Sequence, residues 1–293
     1  MQSLQHYSRL TILNNDVDYV HLPHHFHVHH LGLPRVEIIE LMRTKNTKDR
    51  NDGLRISATM GCLSSVMFFK SIGATDIQGA LMAASYYGHI EIVKHFKGVK
   101  LSPYVLNEAV ARGHIHIVKL LKEWGTQCDW MSWLDASYHG HYDIVKLLLE
   151  WDASYINSGM QYAAMRGHID IVRLLKENGA TVYEITIFNA AMGGHTELIK
   201  LFKEWDVVDD YEDVMSIAAE YGHCEILRLC KEYGAVRFDN AVTKAAQHNH
   251  IDILKIIREW KVRVYVDDAI ESVAYHDVDD EIRDFLIEWN SSI

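Results

Sequence analysis

Ala163-Ala164-Met165-Arg166-Gly167-His168-Ile169-Asp170-Ile171-Val172-Arg173-Leu174-Leu175, closing on Asn178-Gly179-Ala180, spells two helices and the turn between them. Met160 and Ala163 lie three apart, on one face of a first helix. Gly167 ends that helix, because glycine enters the left-handed region without penalty. His168 opens a second helix, with Asp170 in its first turn, where negative charge is favoured. Ile169, Ile171, Val172, Leu174 and Leu175 then form an apolar stripe of helical period.

The same text recurs along the chain. His89, His114, His141, His168, His195, His223 and His250 stand 25, 27, 27, 27, 28 and 27 residues apart, and six of the seven follow a glycine; Asn249 takes that place in the last. A fixed period in the twenties marks a repeat array. Eight residues before each marker stands an apolar residue, Leu81, Leu106, Trp133, Met160, Ile187, Met215 or Val242. Five before it stands alanine, from Ala84 to Ala245. A small side chain there lets neighbouring helices approach, and a larger one would force shifts costing about 1–3 kcal/mol. Lys or Arg follows the marker by five residues, three after the usual acid, so the outer face carries acid–base pairs worth about 0.2–0.5 kcal/mol each. An aromatic closes most second helices: Trp124, Trp151, Trp205, Tyr233 and Trp260. Degenerate units extend the period back to Cys62 and Arg35 and forward to Asp279, making about ten units with atypical ends. Such ends cap a stack and face water. The expected core includes Leu121 and Leu174, where truncation to alanine should cost about 2–5 kcal/mol.

Composition narrows the class of function. Hydrophobic residues make up 48% and charged residues 24% of the 293, as in an ordinary folded protein. Twenty-nine basic residues stand against 40 acidic ones, with no basic block. A nucleic-acid binder neutralises phosphates with Lys and Arg, so neither nucleic acid nor an anionic membrane is an expected partner. Cys62, Cys128, Cys224 and Cys230 form no C-x-x-C pair and no disulfide framework. The start, MQSLQHYSRL, has no apolar run of signal-peptide length, and no stretch reaches the roughly 18 apolar residues of a membrane span. A cytoplasmic or nuclear protein, not a secreted one, is expected.

The quoted stretch resembles the ankyrin repeat, with its A-A-x-x-G-H-x-x-I-V-x-x-L-L-x-x-G-A core; Ala190-Ala191 to Gly194-His195 and Ala218-Ala219 to Gly222-His223 repeat the match. The resemblance covers roughly residues 35 to 293. Two departures stand out. The family's T-P-L-H segment is absent, with Ser158-Gly159-Met160-Gln161 and Ile185-Thr186-Ile187-Phe188 in its place, and the loss in period falls between Gly-Ala and the next first helix. The resemblance thus implies an all-α, ankyrin-like α-solenoid of about ten helix–turn–helix repeats, with short loops and little or no β-hairpin. Residues 1–30 are read as a His-rich cap or tail and 31–293 as the array. Spelling such as Lys119-Leu120-Leu121-Lys122-Glu123-Trp124-Gly125 also resembles ankyrin arrays encoded by large DNA viruses of protists.

Catalytic patterns are missing: there is no G-x-S-x-G, P-loop or H-E-x-x-H. No catalytic residue and no cofactor is expected. The marker histidines do not make a metal site, because two nitrogens on one zinc sit a few ångströms apart while packed helices lie about 8–10 Å apart; hydrogen bonding at the inter-helix turn is their expected role. His21, His24, His25, His27, His29 and His30 form a tract of the kind that binds metal, but without acidic or cysteine ligands, and no specific metal site is assigned to it. Leu33-Pro34-Arg35-Val36-Glu37 resembles the opening of an F-box, a module that recruits ubiquitin ligases, yet the Cys62 repeat begins too soon to leave room for one.

The expected function is a non-enzymatic protein–protein interaction scaffold. Its alternatives are a substrate adaptor for a ubiquitin ligase and a metal sensor built on the histidine tract. Residues two and three before each marker lie off the core face, and the resemblance places them on the concave side. Tyrosine and arginine are enriched in interface hot spots. The expected partner-binding patch is Tyr86, Tyr87, Arg112, Tyr138, His139, Tyr162, Arg166 and Tyr221.

Overall fold

The computed structural model describes residues 47–274, 276 and 278–291. The unit at Arg35, the histidine tract and the F-box-like segment lie outside the described residues. Those residues form nine helix pairs and no strand. They divide into two compact units, the first ending at Ser132 and the second beginning at Trp133.

In the first unit the pairs are α1 (Thr47–Thr59) with α2 (Leu63–Ser71), α3 (Ile77–Tyr87) with α4 (Ile90–His95), and α5 (Pro103–Ala111) with α6 (Ile115–Glu123). The first helices α1, α3 and α5 pack side by side, and the second helices α2, α4 and α6 form a parallel row. Helix α7 (Trp130–Tyr138) contains the division between the units. The second unit continues with α8 (Tyr142–Trp151), a 3-10 turn at Ala153–Tyr155, α9 (Ile156–Met165), α10 (Ile169–Glu177), α11 (Tyr183–Met192), α12 (Thr196–Glu204), α13 (Glu212–Glu220), α14 (Cys224–Glu232), α15 (Asp239–Gln247), α16 (Ile251–Glu259), α17 (Asp267–Val273) and α18 (Asp280–Ser291). Here α9, α11, α13, α15 and α17 lie side by side. Each unit is therefore a layered stack of helix pairs, with its core between the two rows.

The repeat positions explain that core. Every alanine five before a marker is fully buried, as are Leu81, Leu106, Trp133, Met160, Ile187, Met215 and Val242 three residues earlier, at 0–1% exposure. The second helices bury the residues three, four and seven after the marker, such as Ile171, Val172 and Leu175. Leu174, one place earlier, is only half-buried, which corrects the expectation that it belongs to the core. The stripe frays at +6: Leu120, Leu147 and Leu174 are half-buried, whereas Leu201, Leu229 and Ile256 in the later repeats are buried.

Two devices join successive repeats at their rims. On the second helices, a cation eight residues after one marker lies over the closing aromatic of the next repeat: Lys176 over Trp205 at 4.2 Å, Lys203 over Tyr233 at 5.6 Å and Lys231 over Trp260 at 4.1 Å. Such contacts contribute about 0.5–1 kcal/mol where exposed, which gives the closing aromatic a physical role. At the other rim, a polar residue eleven before the marker latches the loop that enters the next repeat. Asn51 Oδ1 accepts from the amides of Thr75 (2.7 Å) and Asp76 (3.1 Å). Gln78 Oε1 accepts from Ser102 N at 2.9 Å, and its Nε2 donates to the Lys100 carbonyl at 2.6 Å. Asn157 accepts from Thr181 N, Glu212 from Val236 N and Asp239 from Tyr265 N, at 2.9, 3.5 and 2.7 Å. The latches let loops as short as Gly179–Val182 connect the repeats without strands.

The burial pattern sets an order of stabilities. Leu121→Ala and Leu175→Ala should each cost about 2–5 kcal/mol, as for fully buried leucines. Leu174→Ala should cost clearly less than Leu175→Ala. Urea unfolding midpoints of the three variants check the order, and equal losses at Leu174 and Leu175 would contradict it.

Candidate partner-binding surface

The surface is built on the junction between repeats. Each Gly-His step makes the helix-ending motif in which the marker amide donates to the alanine carbonyl five residues back, as His168 N does to Ala163 O at 2.9 Å. The ring then turns away from its own helix and toward the preceding repeat. Its Nε2 lies 2.9–3.0 Å from the carbonyl oxygen of Thr59 for His89, Tyr86 for His114, Tyr138 for His168, Met165 for His195, Met192 for His223 and Glu220 for His250. A carbonyl only accepts, so Nε2 carries the proton. The ring also fills a notch left by the preceding glycine. A Cβ on Gly167 would sit 2.5 Å from His195 Nδ1, and one on Gly140 would sit 2.5 Å from His168 Cε1. Those glycines are in the left-handed region as well, with φ of 76° and 75°.

The carbonyls held in this way belong to the residues three before each marker, which are members of the variable surface. Tyr86 and Tyr138 therefore have their backbones fixed by the next repeat's histidine. In the first unit, Tyr86 and Tyr87 make an edge contact with centroids 4.8 Å apart, and the Arg112 guanidinium lies 3.9 Å from the Tyr86 ring. Tyr87 is 52% exposed and Arg112 is exposed. In the second unit, Tyr138 and His139 meet edge-on at 5.3 Å, and Arg166 lies 4.8 Å from the Tyr138 ring. The structure thus assembles two clusters, Tyr86–Tyr87–Arg112 and Tyr138–His139–Arg166. Tyr162, half-buried in α9, and Tyr221, exposed at the end of α13, make no ring or cation contact with the others among the described residues.

Sequence reasoning passed over one column of this surface, six residues before the marker. It holds Ala83, Glu108, Asp135, Tyr162, Asn189, Ile217 and Lys244, of which only Tyr162 was selected. Lys244 Nζ reaches Glu220 Oε2 at 2.8 Å, with His248 Nε2 3.9 Å from Oε1 of the same carboxylate. Burial pushes the Glu108 carboxyl up. The column's non-repeating character, polar in five of its seven members, was its signal.

The buried reactive groups are not poised for chemistry. Burial pushes the Cys230 thiol up to about 12 and raises Cys224, where the Asp252 charge adds to the effect; a nucleophilic cysteine needs the opposite shift. Burial, aided by the charges of Tyr233, Cys230 and Asp206, pushes the Tyr211 phenol up to about 12, and its hydroxyl has no hydrogen-bond partner among the described residues. No three metal-binding side chains converge among the described residues, and none of their helices is long and apolar enough to cross a membrane.

Two outcomes follow from this geometry. His168→Ala leaves the Tyr138 carbonyl without its donor and should cost about 1–3 kcal/mol, measured by chemical denaturation; a change below the error of the midpoint would remove the junction's claimed importance. The raised groups set an alkaline limit. Tyr211 and Cys230 ionise in the unfolded chain at about 10 and 9 and in the folded chain at about 12. Their stabilisation is present below the unfolded values and is lost as pH rises through the folded ones. Tyr211→Phe should therefore lose less stability than the native chain between about pH 9 and pH 11.5, as read from thermal midpoints across that range.

Comparison with known proteins agrees with the repeat geometry. The family described as ankyrin repeats, in three copies, matches residues 81–159 and 106–189. No curated protein matches the chain. Among solved structures, the crystal structure of the human ASB11 ankyrin repeat domain is similar at 19% identity, covering 69% of this chain and 96% of that one with a TM-score of 0.36. The family match falls on the Gly-His repeats themselves, and the same helix pair recurs before and after the matched segment: residues 81–189 match the ankyrin repeat family, and the described residues share its helix-pair architecture.

Proposed function

We propose that the protein is a non-enzymatic scaffold that binds another protein through the turn-proximal ends of its first helices. The observation that carries this reading is the pinning of Tyr86 and Tyr138. Their carbonyls are held by His114 and His168, while their rings carry Arg112 and Arg166. Rigid aromatic–arginine pairs lose little conformational entropy on binding. The repeat's own packing calls for none of these side chains, since the same positions hold Met165, Met192 and Gly193 elsewhere. Tyr162 and Tyr221 extend the surface in the second unit. The partner is a protein, not nucleic acid or membrane, in keeping with a formal charge of −11. Four free cysteines suit a reducing compartment, cytoplasmic or nuclear. The likeness in spelling to arrays of protist viruses supports extending the proposal to a host-cell protein as partner.

The test uses two double variants, Tyr138→Ala with Arg166→Ala and Tyr86→Ala with Arg112→Ala. A partner captured by crosslinking in cells and then titrated against the purified chain should lose at least about 1–2 kcal/mol of binding to one of them, with thermal stability preserved. Losses under ~0.5 kcal/mol for both would place the contact elsewhere.

A further inference from the structure

Eleven residues before the marker five repeats place a loop latch, and in three others that latch is missing. Asn51, Gln78, Asn157, Glu212 and Asp239 each accept a backbone amide from the loop entering the next repeat. Three members of the column do not: Pro103, Trp130 and Glu184. The loop after α12 spans a 28-residue step, one longer than most, and ties itself with Asp210 Oδ1 accepting from Glu212 N at 2.8 Å. The turn after α8 is also closed locally, Asp152 Oδ1 accepting from Ser154 N at 3.0 Å. The loop after α6 has ordinary length and faces Pro103, which offers no side-chain acceptor; its helix-proximal end is closed locally, Asp129 Oδ1 accepting from Ser132 N at 3.0 Å and Ser132 Oγ donating to Asn107 Oδ1 at 2.7 Å. By the register of Thr75, Thr181 and Val236, each fourteen before a marker, the amide due for latching is that of Gln127. It has no acceptor among the described residues.

A groove of about 530 Å³ opens at this place, lined by Val99, Lys100, Pro103, Trp124, Thr126 and Gln127. Its walls are apolar at Val99, Pro103 and Trp124. Tyr104, at 57%, and Trp130, at 51%, are exposed near the starts of α5 and α7. Its one charged lining residue is a cation: Lys100 is exposed and has no acidic partner among the described residues. All of these residues belong to the first unit.

We propose that this groove docks an acidic peptide segment of another protein, whose Asp or Glu carboxylate takes the place of the missing latch. The carboxylate accepts from the Gln127 amide, as Asp239 accepts from Tyr265 N in its own repeat. Lys100 neutralises it, and the flanking residues pack on Trp124 and Pro103. The surface lies at the loop end of the first helices, away from the turn-proximal tyrosines, so it stands or falls independently of them.

The test is an arrayed library of short peptides with a central Asp flanked by randomised apolar residues, against the same library with a central Lys, probed with the full chain. Asp-centred peptides should bind at least about tenfold tighter than their Lys counterparts, and their binding should slow hydrogen exchange at the Gln127 amide. Pro103→Asn supplies the latch within the chain; it should weaken the selected peptides about tenfold and slow exchange at Gln127 without any peptide. Lys100→Glu, at an exposed side chain, should weaken them as well and leaves the proposal testable if Pro103→Asn does not fold. No preference for Asp, unchanged affinity in Lys100→Glu, or unchanged affinity in a folded Pro103→Asn would overturn the assignment. So would self-association of the native chain that Pro103→Asn abolishes, since it would give the groove to a second copy.

Discussion

The histidine ring seated in the glycine notch of the preceding repeat is the contact on which the stacks depend. It acts on three levels at once. The left-handed glycine turns the chain from first to second helix. The missing Cβ admits the ring of the next repeat, and the ring's Nε2 satisfies a carbonyl at the end of the preceding first helix, where helix geometry leaves acceptors unmatched. Glycine and histidine are adjacent in sequence, yet the pair that touches comes from different repeats: Gly167 meets His195, and Gly194 meets His223. The Gly-His step is thus two half-contacts, one facing each neighbour.

The two ends of the run show this dependence. Gly61 precedes Cys62, which has no ring, but the next marker is His89, and its ring occupies the Gly61 notch. At the other end Asn249 precedes a histidine, but the next marker is Asp279, which brings no ring. The notch is not needed, and a side chain is tolerated. Asn249 keeps the left-handed turn at φ 60°, a conformation asparagine enters more readily than most residues. Its Oδ1 accepts from Asp279 N at 3.0 Å, so the connection to the last repeat is made from the opposite partner. The exception to glycine follows from the residue thirty positions later and not from its own neighbour.

Much of the fold was legible because the repeat writes each core position many times. The buried alanines, the apolar residue eight before the marker and the short loops could be read by superposing the units. Leu174 shows the limit of that reading. Hydrophobicity at +6 is nearly as regular as at +7, and the choice of which one points between the rows is a matter of helix rotation that the letters do not carry. The latch column was legible in principle, since Asn51, Gln78, Asn157, Glu212 and Asp239 are all acceptors. It is interrupted by Pro103 and Trp130, so a search for invariant positions passes over it. The tyrosine–arginine pairs lie between these cases. Residue type pointed to Tyr86, Tyr138, Arg112 and Arg166, but only the stacking of successive repeats brings each arginine over a tyrosine 26 or 28 positions away in sequence.

Departures from the repeat have different meanings depending on whether the structure compensates them. Trp133 is far larger than the leucine, methionine, isoleucine or valine of its column, and it is fully buried. Its neighbour Gly159 makes room, for a Cβ there would lie 2.7 Å from the indole, and its Nε1 donates to the Asp152 carbonyl at 3.0 Å. That substitution is settled within the core and leaves nothing over. Asn249 with Asp279 is settled in the same way. Pro103 is settled only in part: Asp129 and Ser132 close the far end of the loop it fails to latch, the Gln127 amide is left without an acceptor among the described residues, and a groove lined by Lys100 lies beside it. A break that its neighbours repair only in part is where a partner from outside has something to complete.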